Sequence, residues 1–201
     1  SMARAHGLEK NVKSLFTAWL KERTPYTGSE LAPHWISART GVFASSIVAF
    51  RGPCQVNTSE MVDLEDSRAG RHITSGEMLH FLGEWFDGDL NLAVARQRLL
   101  IAGFADTLRT RLSPEKAHAL IRRGNDLFIS GAKLSVSIVT ASPVSTLFHF
   151  GVNIDASGAP VKAVGLVELG VNPEELAATI LLAWSEEWES MAKARCKVAP
   201  R

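Results

Sequence analysis

Apolar and polar residues alternate regularly over residues 122–155. A period of two is typical of β-strands that bury one face. The pattern predicts three consecutive antiparallel strands, at residues 126–130, 133–140 and 146–155. Residues 131–132 (Gly-Ala) form the predicted tight turn between the first two strands, because glycine readily takes a positive φ. Ser142-Pro143 ends the second strand, since proline has no N–H to donate to the ladder.

Each of the two longer strands is predicted to have one apolar face on the core, formed by Leu134, Val136, Ile138, Phe148, Phe150, Val152 and Ile154. The opposite faces carry Lys133, Ser135, Ser137, His149, Gly151, Asn153 and Asp155. Such a polar face is either solvated surface, as antiparallel sheets commonly show, or the floor of a polar cleft. Two features favour a cleft. Small hydroxyls surround a single lysine, and Gly151 would let a ligand approach the backbone closely.

The remaining pattern predicts further helices and strands around this sheet. Apolar residues spaced three or four apart, or helix-initiating residues, predict helices at residues 75–87, 91–112, 115–120 and 173–195. Strands are predicted in the later half of residues 8–22, at 46–50, at 55–56 after a break at 51–54, and, as a strand or extended segment, at 161–169. In the helix at 75–87, Ser75 is the predicted N-cap and His80 lies on the helix surface.

Two further segments carry candidate chemistry. Residues 60–66 hold four carboxylates: Glu60, Asp63, Glu65 and Asp66. If residues 62–66 are extended, Asp63 and Glu65 share a face, where paired carboxylates could bind Mg²⁺ or orient a ligand amine or hydroxyl. The alternative is a solvated end of an element, which is commoner. The Tyr26-Thr-Gly-Ser loop either lines a pocket or is an ordinary turn with a packed tyrosine, and the second interpretation is favoured.

Composition bounds the class of protein. The 201 residues, 46% hydrophobic and 21% charged, predict one domain spanning residues 1–201, with residues 1–10 flexible or derived from a tag. The net charge of +1 gives no electrostatic argument for nucleic acid or an anionic membrane. No apolar run approaches the roughly 20 residues of a membrane span. Without a signal peptide the expected location is the cytoplasm, and a homodimer is left open. Cys54 and Cys196 form no metal-binding pattern.

Lys133 is the leading catalytic candidate. It follows a tight turn at the start of a predicted central strand, so its ammonium is held on a rigid element. Such a lysine can neutralise a carboxylate or phosphate and stabilise developing charge. The alternative is a solvent-facing lysine after a turn.

The segment RRGNDLFISGAKLSVSI, at residues 122–138, resembles the central motif of the biotin and lipoate protein ligase superfamily. That motif runs from a basic residue through Asn-Asp and an apolar strand, across a glycine turn, to lysine and a small residue. The matching positions are Arg123, Asn125, Asp126, Leu127, Gly131, Lys133 and Ser135. In those enzymes the lysine contacts the acyl carboxylate and the acyl-adenylate, which implies that role for Lys133. HFGVNID, at residues 149–155, resembles the H-x-G-x-N strand that follows in the same superfamily.

The chain as a whole resembles an uncharacterised prokaryotic family, the domain of unknown function 366. Segments that carry the resemblance are YTGSEL, IVAFRGPCQV, EMVDLED, MLHFLGEWFD, RQRLL, RRGNDLF, KLSVSIVTASPVS and HFGVNI. The resemblance implies an α+β domain with a mainly antiparallel or mixed sheet flanked by helices, related to the biotin/lipoate ligase and class II synthetase fold. It implies no established reaction. The Gly/Arg-rich loop of biotin ligases and the Arg-Arg…Gly-Gly-Gly segment of lipoate ligases are absent from this sequence. Residues 51–54 (RGPC) and 27–29 (TGS) are the only segments that resemble them, and the resemblance is weak. Binding of ATP with Mg²⁺ is therefore expected from the family resemblance alone.

The resulting hypothesis is a ligase-like or acyltransferase-like enzyme that binds a small carboxylate over the polar sheet face. Lys133 would anchor the carboxylate, His149 would carry a proton, and Cys54 is considered as an acyl acceptor. The candidate ligand-binding residues are Arg51, Asp63, Glu65, Asp66, Arg123, Asn125, Asp126, Ser135, Ser137, Gly151 and Asn153. No metal ligands are assigned. The alternatives are a non-ligase protein for a nucleobase-like or pterin-like metabolite, and an interaction protein whose polar face is merely solvated.

Overall fold

The computed structural model describes residues 14–157, 159 and 161–201. The strands within them are β1 (Phe16–Trp19), β2 (Ser46–Val56), β3 (Ile73–Trp85), β4 (Leu120–Arg123), β5 (Asp126–Ile129), β6 (Ala132–Lys133), β7 (Ser135–Ala141) and β8 (Thr146–Asp155). The helices are α1 (Trp35–Thr40), α2 (Leu64–Arg68), α3 (Leu90–Arg109), α4 (Pro114–Ala119), α5 (Leu166–Leu169) and α6 (Pro173–Cys196), with a 3₁₀ turn at Thr58–Glu60. The flexible or tag-derived segment expected at residues 1–10 lies outside the described residues.

A five-stranded mixed sheet organises the fold, in the order β1-β2-β3-β8-β7. β1 runs parallel to β2, and every other neighbouring pair is antiparallel. A smaller sheet, β4-β5-β6, adjoins it. The predicted α+β fold, a mixed sheet flanked by helices, is therefore confirmed. None of the helices in the described part of the chain is long and apolar enough to cross a membrane.

The two faces of the large sheet are covered differently. Against one face pack α3 and α6, and the shared core includes Phe81, Leu100, Phe104, Phe148, Phe150, Leu176, Ile180 and Trp184. A separate cluster on the other face includes Tyr26, Ile36, Val48, Phe50, Cys54, Met78 and Leu82. The long helices, predicted at residues 91–112 and 173–195, form close to their predicted bounds because both have strong start signals. Asp89 caps α3, and Asn172 caps α6 ahead of Pro173.

The predicted strand at 146–155 is confirmed in full as β8. Phe148, Phe150 and Val152 belong to the core under α3 and α6, and His149 and Asn153 lie on the other face of the sheet. The strand is buried along nine of its ten residues, so the polar face is covered rather than solvated. Of the two interpretations that the sequence left open for this face, solvated surface therefore does not hold for β8, and the covered face agrees with the favoured cleft.

The predicted helix at 75–87 is wrong, because this segment is the long strand β3. It lies at the centre of the sheet, between β2 and β8, and residues 78–85 are all buried. A strand covered on both faces has no alternation, and a short continuous apolar run cannot be distinguished from a buried helix by periodicity. His80, predicted on a helix surface, is fully buried in this strand.

The predicted face of β7 is also wrong. Its register on β8 sets these residues opposite each other: Ser135 and Val152, Val136 and Gly151, Ser137 and Phe150, Ile138 and His149. Directly opposite residues lie on the same face of an antiparallel pair. The two serines therefore face the core side, and the apolar Val136 and Ile138 face the His149 side. The cause is an interruption of the strand at Leu134, which is itself buried and shifts the alternation by one residue.

Smaller differences concern turns and ends of elements. The hairpin turn is formed by Ser130 and Gly131, both with positive φ, one residue earlier than predicted. The predicted break at residues 51–54 is instead a bulge within the continuous strand β2. Residues 62–66 are not extended, because Asp63 caps α2 by accepting hydrogen bonds from two backbone N–H groups. At residues 161–169 a single bridge at Ala163 precedes the short helix α5, so no regular strand forms.

Candidate functional site

A cavity of about 360 Å³ lies on the β8 face that carries His149. This volume falls within the roughly 300–1,000 Å³ typical of small-molecule sites. Its polar wall includes Tyr26, Glu60, Asp63, Asp66, Arg71, His72, Asn125, Asp126, Lys133, Ser135, Ser137, His149 and Asn153. Its apolar wall includes Val56, Met61, Val62, Ile73, Val136, Ile138 and Val161. A cavity with convergent polar groups on a mainly apolar background is the arrangement expected of a ligand site.

The cavity brings together most of the candidate residues from the sequence, in particular Lys133, His149 and the Asn125-Asp126 pair. Four other candidates do not line it: Arg51, Glu65, Arg123 and Gly151. Arg51 instead pairs with Glu77 at 3.1 Å, and Arg123 lies over the ring of Phe128. A side chain at Gly151 would meet Met78 and His149 within about 3.2 Å, so this glycine makes room for two side chains rather than for a ligand.

Lys133 is held on a rigid piece of backbone at the wall of the cavity. Its N–H donates to the carbonyl of Lys162 at 2.9 Å, and its carbonyl accepts from Val164 at 3.0 Å. The ammonium Nζ lies 3.0 Å from Asp126 Oδ2, and the two side chains are 32% and 24% exposed. The pair is therefore partly screened by solvent, and Lys133 presents its charge next to the cavity with one carboxylate already bound.

The two asparagines serve the backbone around this lysine. Asn153 Nδ2 donates to the carbonyls of Lys133 and Val164, at 3.2 and 3.3 Å. Asn125 Nδ2 donates to the carbonyl of Ser137 at 2.6 Å. These contacts tie the β5-β6 hairpin and the segment after β8 to the large sheet. Asn153 therefore positions Lys133, whatever else it contacts.

The serine hydroxyls predicted to line a cleft are committed to structure. Ser135 Oγ accepts from the backbone N–H of Leu127 at 3.0 Å. Ser137 Oγ accepts from Gln97 at 2.8 Å and donates to the carbonyl of His149 at 2.9 Å. Both hydroxyls therefore face the core side and hold elements together, so these two serines border the cavity while their hydroxyls are committed elsewhere.

Two buried histidines and a tyrosine form the deepest polar group of the site. His80 Nδ1 lies 3.0 Å from His149 Nε2, and His80 Nε2 lies 3.1 Å from the carbonyl of Gly52. The ring of Tyr26 stacks on His149, with centroids 3.7 Å apart and planes inclined by 7°. Burial lowers the pKa of His80 to about 4. Burial, reinforced by the nearby His80, lowers the pKa of His149 well below its ordinary value. Both rings are neutral at pH 7.

Cys54 lies beside this group and is not activated. Its thiol is almost fully buried, and burial together with the charge of Glu30 raises its pKa to about 12. The thiolate, which is the nucleophilic form, is therefore negligible at neutral pH. Burial likewise raises the pKa of Tyr26 above its ordinary value. This environment argues against Cys54 as an acyl acceptor.

The two segments considered as substitutes for a phosphate-binding loop are both occupied by carboxylates of the chain itself. Arg51 and Arg23 bind Glu77 from two sides, and these bonds hold the pKa of Glu77 below its usual value despite the opposing effect of burial. The backbone N–H groups of Thr27 and Gly28 donate to Glu30 Oε2, at 2.8 and 3.1 Å. These donors do not fit a nucleotide phosphate as they stand.

The acidic segment contributes a charged rim. Asp66 pairs with Arg71 at 2.7 Å, and Asp63 Oδ1 is engaged in capping α2. Within the described residues, no three His, Cys, Asp or Glu side chains are grouped so as to hold a metal ion. The rim can therefore contact a polar part of a ligand, with positive and negative groups both represented.

Sequence reasoning missed several contributors to this site, among them Arg71, His72, Val136, Ile138 and His80. Val136 and Ile138 were assigned to the core, since the interruption at Leu134 leaves no mark in the alternating pattern. His80 was lost with the misassigned helix. The sequence feature that marks His80 as buried is its position inside a continuous apolar run, at residues 78–82, that is followed by a glycine. For Tyr26 the sequence left two interpretations open, a packed tyrosine in a turn and a residue of a pocket wall. The structure shows that it is both.

Comparison with known proteins places the chain in a family. A family model described as a domain of unknown function, DUF366, matches residues 15–199. An uncharacterised protein from Methanocaldococcus jannaschii is 32% identical over 189 residues, which cover 90% of this chain and 83% of that protein. A solved structure of a protein of unknown function from Pyrococcus horikoshi superposes with a TM-score of 0.87 at 38% identity, covering 94% of this chain and 100% of that one.

More distant structures share the fold. A biotin acetyl coenzyme A carboxylase synthetase from Helicobacter pylori, solved with biotinylated ATP, has a TM-score of 0.54 at 14% identity, covering 85% of this chain and 74% of that one. A protein described as a lipoate protein ligase from T. acidophilum has the same TM-score and identity, covering 85% and 84%. At this identity the likeness concerns the scaffold alone. The resemblance to the ligase superfamily is confirmed at the level of fold, and the chain belongs to the family of domain of unknown function 366.

Proposed function

We propose that this protein binds a small organic carboxylic acid in the cavity, as a ligase-like or acyltransferase-like enzyme, with Lys133 Nζ anchoring the carboxylate. The observation that carries the proposal is the position of Lys133 in the cavity wall, on backbone that is hydrogen-bonded on both sides. An ammonium that Asp126 already holds beside the cavity is a suitable partner for a carboxylate, because it is a compact charge with three donors, of which the contact with Asp126 uses one.

The charge arrangement supports an anionic ligand group at this end of the cavity. Lys133 is bound to Asp126 by one contact at 3.0 Å, and an ammonium has three donors. The side chain is about one-third exposed, so a ligand carboxylate reaches it without burying an unpaired charge. Val136 and Ile138 next to it suit the apolar part of such an acid.

Adenylation of the acid has less support than its binding. Residues 27–29 and Arg51, which were the candidates for holding phosphate, are engaged by Glu30 and Glu77. A nucleotide would have to displace these carboxylates or use other groups. The site is equally compatible with a transfer reaction that starts from a preformed activated acyl group and needs no nucleotide.

A second candidate ligand is a flat nitrogen heterocycle of the nucleobase or pterin kind. The observation in its favour is the stacked pair of Tyr26 and His149 in the wall, together with carboxylates at the rim that accept hydrogen bonds from ring N–H groups. Such a ligand has no need of Lys133, which separates the two candidates experimentally.

The test is calorimetric titration of the whole chain with biotin, lipoic acid and octanoic acid. We expect at least one acid to bind, and Lys133→Met to weaken that binding about tenfold to a hundredfold, since a charge-assisted hydrogen bond contributes about 1.5–3 kcal/mol. Arg122→Met is the matched control. It removes a charge from β4 of the same small sheet, two strands from Lys133 and at a residue outside the cavity.

Equal weakening by both substitutions, or no binding of any acid, would contradict the proposal. Binding of a nucleobase or pterin that survives Lys133→Met would support the second candidate. Pyrophosphate release in the presence of ATP and the bound acid then decides whether the protein is an adenylating ligase.

A further inference from the structure

We propose that His149 presents an unprotonated Nδ1 to the cavity as a hydrogen-bond acceptor, that His80 fixes it in this form, and that the ligand therefore carries an N–H or O–H donor. The ligand would thus be an acid with a hydrogen-bonding head group. The acid part rests on the proposed function, whereas the role of the histidines rests on the hydrogen bonds of the buried pair.

The argument starts at the carbonyl of Gly52, which lies 3.1 Å from His80 Nε2. A carbonyl oxygen only accepts, so His80 Nε2 must carry the hydrogen. The backbone at Gly52 packs so closely on Thr24 that a side chain there would collide with the carbonyl of Thr24, so this part of β2 has little room to move. The bulge of β2 at this glycine thereby sets the tautomer of a histidine on the adjacent strand.

The second step follows from the short contact between the two rings. A neutral imidazole has one donor and one acceptor nitrogen, so His80, protonated on Nε2, accepts at Nδ1. His149 Nε2, 3.0 Å away, must therefore donate. Since His149 is neutral as well, its remaining nitrogen, Nδ1, has a free lone pair.

A protonated His80 would reverse this polarity, and its surroundings oppose that state. The ring is fully buried among Phe50, Tyr26 and His149. The acidic groups that influence it are Glu30 and Glu77, and both are engaged with donors of their own. Burial outweighs their attraction, in agreement with a lowered pKa for His80.

The third step is the exposure of this lone pair to the cavity. His149 lines the cavity, and within the described part of the chain its Nδ1 receives no hydrogen bond. Tyr26 covers one face of the His149 ring. Ile138 is the residue of β7 that pairs with His149 in the sheet. His149 Nδ1 is not among the fully buried polar atoms without a partner, so water reaches this lone pair while the cavity is free of ligand. A ligand that displaces the water and supplies a donor keeps the hydrogen bond, and a ligand without a donor loses it and is disfavoured.

The first experiment measures the tautomers directly, by ¹⁵N NMR of the histidine rings in the whole chain near pH 7. We expect both His80 and His149 to carry their hydrogen on Nε2. In His80→Phe, the constraint on His149 is removed, so its tautomers are expected to mix. A hydrogen on His149 Nδ1 in the unaltered protein would overturn the proposal, whatever ligand binds.

The second experiment compares biotin, whose ureido ring has N–H donors, with lipoic acid, whose dithiolane ring has none. Both end in the same pentanoic acid chain. We expect biotin to bind at least about tenfold more tightly, as one satisfied acceptor is worth about 1.4 kcal/mol. His149→Phe should abolish the preference, and His149→Asn, whose amide oxygen can take the place of Nδ1, should retain part of it.

The two proposals fail separately. Equal affinity for the two acids, with both dependent on Lys133, would overturn the role of His149 and leave the proposed function intact. If neither acid binds, the proposed function fails, and the ring NMR alone decides whether His149 is the acceptor. A preference for biotin that persists in His149→Phe would place the recognising group elsewhere.

Discussion

The two faces of β8 are built from the same ten residues and serve different purposes. On one face Phe148, Phe150 and Val152 pack against α3 and α6. On the other, His149 contacts His80 and Tyr26, and Asn153 holds the backbone of Lys133. The first face is made of non-directional apolar contacts. The second depends on single hydrogen bonds whose donors and acceptors must match.

This difference separates stability from recognition. Apolar burial contributes in proportion to area and tolerates exchange of one hydrophobic residue for another of similar volume. A buried polar network is more demanding, because an unmatched buried group costs about 1–3 kcal/mol, which is more than the roughly 0.5–1.5 kcal/mol that a matched hydrogen bond contributes. The core face should therefore dominate the free energy of unfolding, and the cavity face should dominate binding.

The largest effect is expected from Phe150→Ala on the core face. The ring of Phe150 meets Phe104 edge-on at 5.0 Å and stacks on Phe81 at 6.0 Å. Its removal leaves a cavity in the fully buried core, so the free energy of unfolding should fall by about 3–5 kcal/mol. Urea denaturation followed by tryptophan fluorescence measures this change.

Phe43→Ala is the matched control for the same chemical change, since Phe43 is 88% exposed. Its effect should stay within about 0.5 kcal/mol. If Phe150→Ala cost no more than this control, the packing of β8 against α3 would be wrong.

A smaller effect is expected from acid on the cavity face. The pKa of His80 falls from 6.5 to about 4 on folding, so between these values the unfolded chain binds more protons than the folded one. The contribution of neutral His80 to the free energy of unfolding should therefore be fully present above pH 6.5, decline as the pH falls, and level off near pH 4. At about 1.4 kcal/mol per pH unit, the loss assigned to His80 is about 3 kcal/mol.

The control for this prediction is a variant without the buried ring. In His80→Phe, the decline in the free energy of unfolding between pH 6.5 and pH 4 should be shallower than in the unaltered protein. The comparison removes the contribution of carboxylates, which titrate in both proteins. Parallel curves would mean that His80 is not buried in its neutral form.

The sequence predicted both faces of β8 correctly and failed on its neighbours β3 and β7, for physical reasons. The pattern on β8 is strict because each of its faces meets one kind of neighbour, so the positions of Phe150 and His149 were correct. β3 is buried on both faces, and its continuous apolar run carried no periodicity to identify it as a strand. Between β6 and β7 one irregular residue, Leu134, reversed the alternation, which a period of two cannot anticipate.

The site was predictable only as far as it is local in sequence. Lys133, Asn125 and Asp126 belong to one hairpin, and all three line the cavity. Tyr26 and His80 come from distant segments, and their contact with His149 depends on the order of strands in the sheet. That order places β3 beside β8, and the sequence contains no direct record of it.

The smallest change in stability is expected from Asp126→Asn on the cavity face, where we expect stability and ligand affinity to respond differently. The Lys133–Asp126 pair is partly exposed, and such pairs contribute about 0–1 kcal/mol to folding.

The effect of Asp126→Asn on ligand affinity should be opposite in sign to its effect on stability. The aspartate competes with a ligand carboxylate for the same ammonium and repels it, so its neutral isostere should strengthen binding of an acid severalfold. Calorimetry of the acid bound best by the unaltered protein measures this, and urea denaturation measures the stability. Weaker binding in Asp126→Asn would show that Asp126 contacts the ligand or orients Lys133 for it, which would make the carboxylate part of the binding site and not a competitor.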